Sequence, residues 1–415
     1  MSNKNGGTRS AAAPHRFDLV VIGGGLTGLA LATAVGTAGF DVLVVEQSPL
    51  TTLTSAPYDG RSTAVALGSK RLLDGIGVWE GMTAAAEPIR DILVAEAFST
   101  IEVHYDHREV GEEPLGWIVE NRAIREALLA RVATLPNVRL EAPVKVAEMT
   151  RETLGATVTL TNGFCARAPL VAVCEGRFSP TRDSLGITSQ RWVYEQTGIV
   201  CTIGHERPHR GLAIERFFPD GPFARLPMTG NRCSIVWALR NDMAKEVTKL
   251  GDTAFTGEIA DRFGADLGEI ELLGDRWSYP LILVWADRYV DTRLVLVGDA
   301  ARGIHPISGQ GWNLALRDVA AVAEIVVDRL RLGLDPGDPA ALERYAGWRR
   351  FDSLALVAIT DGINRLFAND IFPLRLAREA GLAVVERIAP AKRFFMRHAM
   401  GLVGDLPRTM RGEAL

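Results

Sequence analysis

Apolar residues along this chain fall into three kinds of run. The first kind is short and unbroken. Leu19-Val20-Val21-Ile22, Val42-Leu43-Val44-Val45 and Leu294-Val295-Leu296-Val297 each end at a glycine or an acid, which is the pattern of buried strands. The second kind alternates. Phe223-Ala224-Arg225-Leu226 and Cys233-Ser234-Ile235-Val236-Trp237 predict strands in a segment from about 186 to 275. The third kind recurs at helical spacing: Leu29, Ala30, Ala34 and Val35 after the first strand, and Leu356, Ile359, Ile363 and Leu366 in a C-terminal part that reads as helical from about 340. The order of these runs predicts an α/β chain in which the parallel-strand pattern is interrupted by a separate strand-rich segment.

The first strand runs directly into Gly23-Gly24-Gly25-Leu26-Thr27-Gly28, and a helix and a second strand ending in Glu46 follow. This strand, turn, helix, strand order is the context a GxGxxG motif requires. Gly23 permits the tight turn, Gly25 lets backbone approach a pyrophosphate, and Gly28 lets the helix pack closely on the strand. The phosphate charge then meets the positive end of the helix dipole, flanked by Leu26 and Thr27. Glu46 lies 18 residues past the last glycine, where a carboxylate accepts bonds from adenosine ribose hydroxyls. The motif alone does not choose between NAD and FAD.

A second element near the other end of the chain makes that choice. The strand Leu294-Val295-Leu296-Val297 ends at Gly298-Asp299, followed by His305-Pro306, Gly309-Gln310-Gly311 and the start of a long apolar helix at Trp312-Asn313. The Asp299 carboxylate suits the ribityl hydroxyls of a flavin. Small residues ahead of a helix expose unpaired backbone N–H groups, which suit the flavin ring edge or the pyrophosphate. NAD dehydrogenases have no use for such an element, so the two motifs read as halves of one FAD site.

These residues resemble the class A, single-component FAD-dependent aromatic hydroxylases of the p-hydroxybenzoate hydroxylase superfamily. Within it they are most similar to the ubiquinone-biosynthesis hydroxylases, whose GDAAHxxHPxAGQGxNLGxRD pattern is met here by GDAARGIHPISGQGWNLALRD. Asp59-Gly60-Arg61 and Glu120-Asn121-Arg122 resemble further family segments, and Arg216-Phe217-Phe218 and Leu226-Pro227-Met228 resemble its substrate-domain strands. The resemblance implies a FAD-binding Rossmann-like domain interleaved with a β-sheet substrate domain and a helical C-terminal region. The expected division is an arm at 1–16, a FAD-binding domain at 17–80, 100–185 and 275–335, a substrate sheet at 81–99 and 186–274, and a helical region at 336–415.

The implied activity is hydroxylation of the ring of a polyprenylated phenol or benzoquinol in ubiquinone biosynthesis, with NAD(P)H and O2, through a flavin C4a-hydroperoxide. The resemblance puts His305 and Pro306 beside the reacting position, with the Pro306 backbone against the transferred hydroxyl. It brings Arg61 and Arg122 to the flavin or its phosphates, although each arginine also reads as a structural ion-pair partner. Gly309, Gln310, Gly311 and Asn313 would hold the flavin. Two positions depart from the family pattern: Glu175 stands where the family has an aspartate that contributes to flavin and NAD(P)H binding, a role the resemblance carries to Glu175, and Arg302 stands where many relatives have histidine. A cation at 302 would lie near the isoalloxazine and favour an anionic flavin or phenolate. Phe217, Phe218, Phe223, Leu226, Met228 and Trp237 read either as the lining of an apolar groove or as core. The rival readings are a small-phenol flavin hydroxylase, another flavin oxidoreductase such as a halogenase, and a flavin-binding scaffold without turnover.

Composition narrows the partners. A net charge of −4 argues against nucleic acid. Cys165, Cys174, Cys201 and Cys233 show no CxxC and no histidine pairing, so no disulfide framework or metal site is expected, and the cytoplasm is the expected compartment. No run approaches the length of a membrane span. Residues 371–415 carry 8 Lys and Arg against 4 Asp and Glu, interleaved with apolar residues. That surface suits either packing on the FAD domain or peripheral contact with the inner membrane or with proteins of a ubiquinone-biosynthesis complex.

Overall fold

The computed structural model describes residues 13–51, 60–97, 99, 101–304, 309–367, 381 and 384–415, with 355–367 described by backbone alone. Among these residues the strands form four sheets. In the first, Leu19–Ile22 lies between Val42–Val45 and Val171–Val173, with Val138–Glu141 and Leu294–Leu296 outside them, all parallel. Val290–Asp291 adds an antiparallel edge. Every side chain of Leu19–Ile22 and Val42–Val45 is buried, so both faces are covered and the apolar runs are unbroken. The helix Leu26–Thr37 packs against the helices Asn121–Ala133 and Gly311–Arg331. It is apolar on all sides rather than striped because most of it is enclosed.

The parallel strands all end at one edge. Gly23, Glu46, Cys174 and Gly298 therefore stand side by side just beyond it, where α/β sheets bind ligands.

The second large sheet has eight strands in the order Arg302–Gly303, Ile270–Ala286, Ser189–His205, Arg232–Arg240, Gly221–Met228, Leu212–Phe218, Asp91–Glu96 and Glu102–Asp106. Its pleat sorts side chains between two faces. Ile199, Cys201, Phe223, Ile235 and Trp237 meet Phe255, Ile259 and Phe263 of the helix Asp252–Phe263 in a core of their own. Full burial of each large side chain contributes about 1.5–3 kcal/mol. Val200, Ala213, Phe217, Ala224, Leu226 and Val236 take the opposite face and line a cavity. Of the six apolar residues that read either as groove lining or as core, Phe217 and Leu226 line the cavity. Phe218, Phe223 and Trp237 belong to the other face, and Met228 packs with Leu67, Ile89 and Met396.

Two sequence boundaries are corrected. His15–Arg16 pairs with Ala166–Arg167 as a strand, so the N-terminal arm does not extend to 16, and residues 1–12 lie outside the described residues. The eight-stranded sheet includes Glu102–Asp106 and continues through Ala286, beyond the expected limits at 99 and 274.

The C-terminal region contains the helices Pro339–Phe367, Ala389–Ala399 and Arg408–Arg411. The Tyr345 hydroxyl donates to the Leu296 carbonyl at 2.8 Å, tying this region to the parallel sheet. Among the described residues no helix is long and apolar enough to cross a membrane.

Candidate active site

A cavity of about 2070 Å³ runs from the ends of the parallel strands to the inner face of the eight-stranded sheet. The GGGLTG turn forms one end. Gly23 has φ 105°, and a Cβ there would lie 2.7 Å from the Cys174 carbonyl. A Cβ on Gly28 would lie 1.9 Å from the Gly23 carbonyl oxygen, so helix and strand meet only with glycine. Gly25 differs: its Cβ would meet no protein atom within 4 Å. It caps the helix Leu26–Thr37 without any side-chain bond, leaving space beside unpaired N–H groups. Leu26 and Thr27 line the same space.

Glu46 closes this end. One carboxylate oxygen accepts the Gly24 N–H at 2.7 Å and the other accepts the Ser48 N–H at 2.7 Å. Each oxygen retains a lone pair for a further donor.

The helix Gly311–Arg331 brings a second N-terminus to the cavity. Its cap, Gln310, makes no side-chain capping bond, and Gly309, Gln310 and Gly311 line the wall. Asn313 does not reach the cavity. It accepts the Ala66 N–H at 2.9 Å and donates to the Ala64 carbonyl at 2.7 Å, which fixes the wall strand Ser62–Ala66 to the helix start. Asp299 lines the cavity 3.6 Å from Arg177. Burial holds its carboxyl above the ordinary range, against the pull of Arg177 and Arg302. His305 and Pro306 lie outside the described residues.

Glu175 also lines the cavity, but its carboxylate is occupied by its own chain. It accepts the Ser179 hydroxyl at 2.6 Å and the Thr181 N–H and hydroxyl at 3.0 Å each. Arg61 lines the wall with its guanidinium 5.8 Å from the Tyr279 ring centre. Arg122 is not on the wall. Its side chain is half exposed and faces Glu126 at 3.5 Å, one turn along its helix. Its neighbour Asn121 is on the wall and accepts the Thr63 hydroxyl at 2.6 Å.

Arg302 corrects an expectation. Its side chain points away from the cavity and reaches Asp318 at 2.6 Å, both fully enclosed. Asp318 also accepts Arg349 at 2.8 Å and the Gly298 N–H at 2.9 Å. The guanidinium at 302 is thus paired with Asp318 beneath the Gly298-Asp299 turn and is not presented on the cavity wall. Asp352 extends the cluster to Arg317 and Arg349; burial works to raise its carboxyl, but the two guanidinium groups hold it below the ordinary range.

Arg177, Asn121 and Glu215 are among the wall residues to which the sequence assigns no role. Arg177 lies two residues past Glu175, and Asn121 stands inside the Glu120-Asn121-Arg122 segment, so nearness to a recognised motif is the available signal. Glu215 had a subtler one: it interrupts the apolar phase of Ala213 and Phe217 on a single strand. Burial pushes the Glu215 carboxyl up to about 8.

Two uncapped helix ends, two carboxylates placed for hydroxyl groups and the void beside Gly25 fit FAD. The FAD binding domain family matches residues 16–351. The ubiquinone hydroxylase UbiL of Rhodospirillum rubrum is 47% identical over 412 residues, covering 99% of this chain and 96% of that protein. The 3-demethoxyubiquinol 3-hydroxylase of Escherichia coli is 32% identical over 387 residues, covering 93% and 98%. The p-nitrophenol 4-monooxygenase PnpA from Pseudomonas putida superposes with a TM-score of 0.78 at 18% identity, over 94% of this chain and 99% of that one, and so shares the fold. This chain belongs to the FAD binding domain family, in its branch of ubiquinone-biosynthesis hydroxylases, and is a FAD-dependent monooxygenase.

Proposed function

We propose that the protein hydroxylates the ring of a polyprenylated phenol or benzoquinol in ubiquinone biosynthesis, using NAD(P)H and O2. The observation that carries this reading is the continuity of the cavity. At about 2070 Å³ it exceeds an ordinary ligand pocket about twofold, and it joins the FAD end to an apolar sheet face. There is room for a dinucleotide and a second, apolar ligand. Bound FAD, once reduced, supplies activated oxygen. The chain supplies placement: Gly25 and the Gly309–Gly311 turn offer backbone N–H groups, Glu46 and Asp299 hold hydroxyl groups, and the sheet face excludes water from the ring.

The test is complementation of bacterial strains that each lack one ubiquinone-ring hydroxylase. Restored ubiquinone in at least one strain is expected, with the accumulated intermediate identifying the ring position. Failure in every strain, with the protein folded and FAD-loaded, contradicts the substrate assignment and favours a small-phenol hydroxylase.

The helix Ala389–Ala399 suggests where an apolar substrate enters. Phe395 and Met396 line the cavity, while Phe394 and Phe395 are 52% and 41% exposed beside the exposed Arg393 and Arg397. Lys392 is excluded from this surface because it is buried against Glu109 and Glu386. We propose that this face rests on an anionic bilayer. The protein is expected to sediment with phosphatidylglycerol vesicles and to lose that binding on Phe394→Ser/Phe395→Ser substitution. Equal recovery in the supernatant with and without vesicles contradicts it.

A further inference from the structure

Glu215 is an acid on an otherwise uncharged surface. Among the described residues of the eight-stranded sheet that line the cavity, it is the one carboxyl. Its strand partners are Val94 on one side and Ala224 on the other, and the row continues through Val236 to Val200. Ala213, two residues away on the same face, is also small. The glutamate therefore projects past short neighbours into the cavity. No hydrogen bond or ion pair engages its carboxyl among the described residues, and no charged group acts on it.

An apolar residue would fit this strand position better on packing grounds alone, because a carboxyl here loses water and gains nothing from the protein. Its partner is therefore sought in the ligand. Elevated by burial to about 8, the carboxyl is largely uncharged at neutral pH. An uncharged carboxyl both donates and accepts one hydrogen bond, as a phenolic hydroxyl does, so the two groups satisfy each other without a net charge. The other titratable groups facing the cavity from the sheet are Tyr105 and Tyr279, and His398 faces it from the helix Ala389–Ala399. Burial pushes Tyr105 up to about 12, so it stays neutral, and Arg61 lies over the Tyr279 ring.

We propose that Glu215 receives the ring hydroxyl of the substrate and so fixes which edge of the ring is presented for oxygen transfer. The inference rests on the reading of the substrate as a prenylated phenol. It assigns the polar half of substrate recognition to one residue and leaves the prenyl tail to the apolar wall.

The test uses the FAD-loaded full chain and measures binding of two soluble probes by flavin fluorescence: a short-chain prenylphenol and the prenylbenzene that lacks only the hydroxyl. The wild-type protein is expected to prefer the phenol by about 10- to 100-fold, the usual loss when a buried hydrogen-bonding group is left without its partner. Glu215→Leu and Glu215→Met, both compatible with the apolar row, are expected to bind the two probes alike. Glu215→Gln, which still donates and accepts, is expected to restore a preference. Full wild-type preference in the Leu and Met variants overturns the inference while leaving the substrate class intact, as does equal binding of both probes by the wild type. Wild-type protein that binds neither probe overturns the substrate reading, and this inference with it.

Discussion

Gly28→Ala is expected to give a protein that purifies with little or no FAD and unfolds well below the wild type. The added Cβ would sit 1.9 Å from the Gly23 carbonyl oxygen, a backbone atom of the adjoining turn. No side-chain rotation relieves that contact. The helix Leu26–Thr37 must move away from Leu19–Ile22, and its uncapped N-terminus moves with it. Ordinary overpacking costs about 1–3 kcal/mol, and a clash with fixed backbone lies at or beyond the upper end. The readout is the ratio of flavin to protein absorbance together with the thermal midpoint. Gly75→Ala is the control, since a Cβ there meets nothing within 4 Å and flavin content should be unchanged. A Gly28→Ala protein with full flavin and a wild-type midpoint contradicts the packing argument.

Asp318→Ala is expected to destabilise the folded protein by about 3–5 kcal/mol, the usual result of removing one partner from a buried ionic cluster. Asp318 holds Arg302 at 2.6 Å and Arg349 at 2.8 Å, and all three side chains are enclosed. It also accepts the Gly298 N–H, which anchors the turn that carries Asp299. Its removal leaves the Arg302 guanidinium with no ion-pair partner among the described residues, because Asp352 reaches Arg349 and Arg317. Against a typical folding stability of about 5–15 kcal/mol this loss is large. Denaturant titration measures it directly. A change below about 1 kcal/mol, the scale of an exposed ion pair, would mean that the cluster is open to water.

The FAD end was legible in the sequence because its chemistry is local. Gly23 through Gly28, Glu46 and Gly298-Asp299 each sit within a few residues of a strand end, and strand ends are written in the apolar runs. The sheet end of the cavity was less legible for a reason of pleat. Phe217 and Phe218 are neighbours in sequence but turn to opposite faces, and only the completed sheet tells which face meets the cavity. Arg302 shows a third limit. Its partner, Asp318, closes the same motif, but only the folded helix shows that it turns back onto Arg302. Asn313 shows the same limit, since the strand it secures is far away in the chain.

The most direct measurement of the central claim supplies the FAD-loaded protein with NAD(P)H, a prenylated phenol and O2 labelled with oxygen-18, and follows the ring by mass spectrometry. The account predicts a hydroxylated ring carrying one labelled oxygen atom, formed in step with NAD(P)H oxidation. Oxidation of NAD(P)H with release of labelled peroxide and an unchanged ring, across the phenols and benzoquinols of this class, would contradict it.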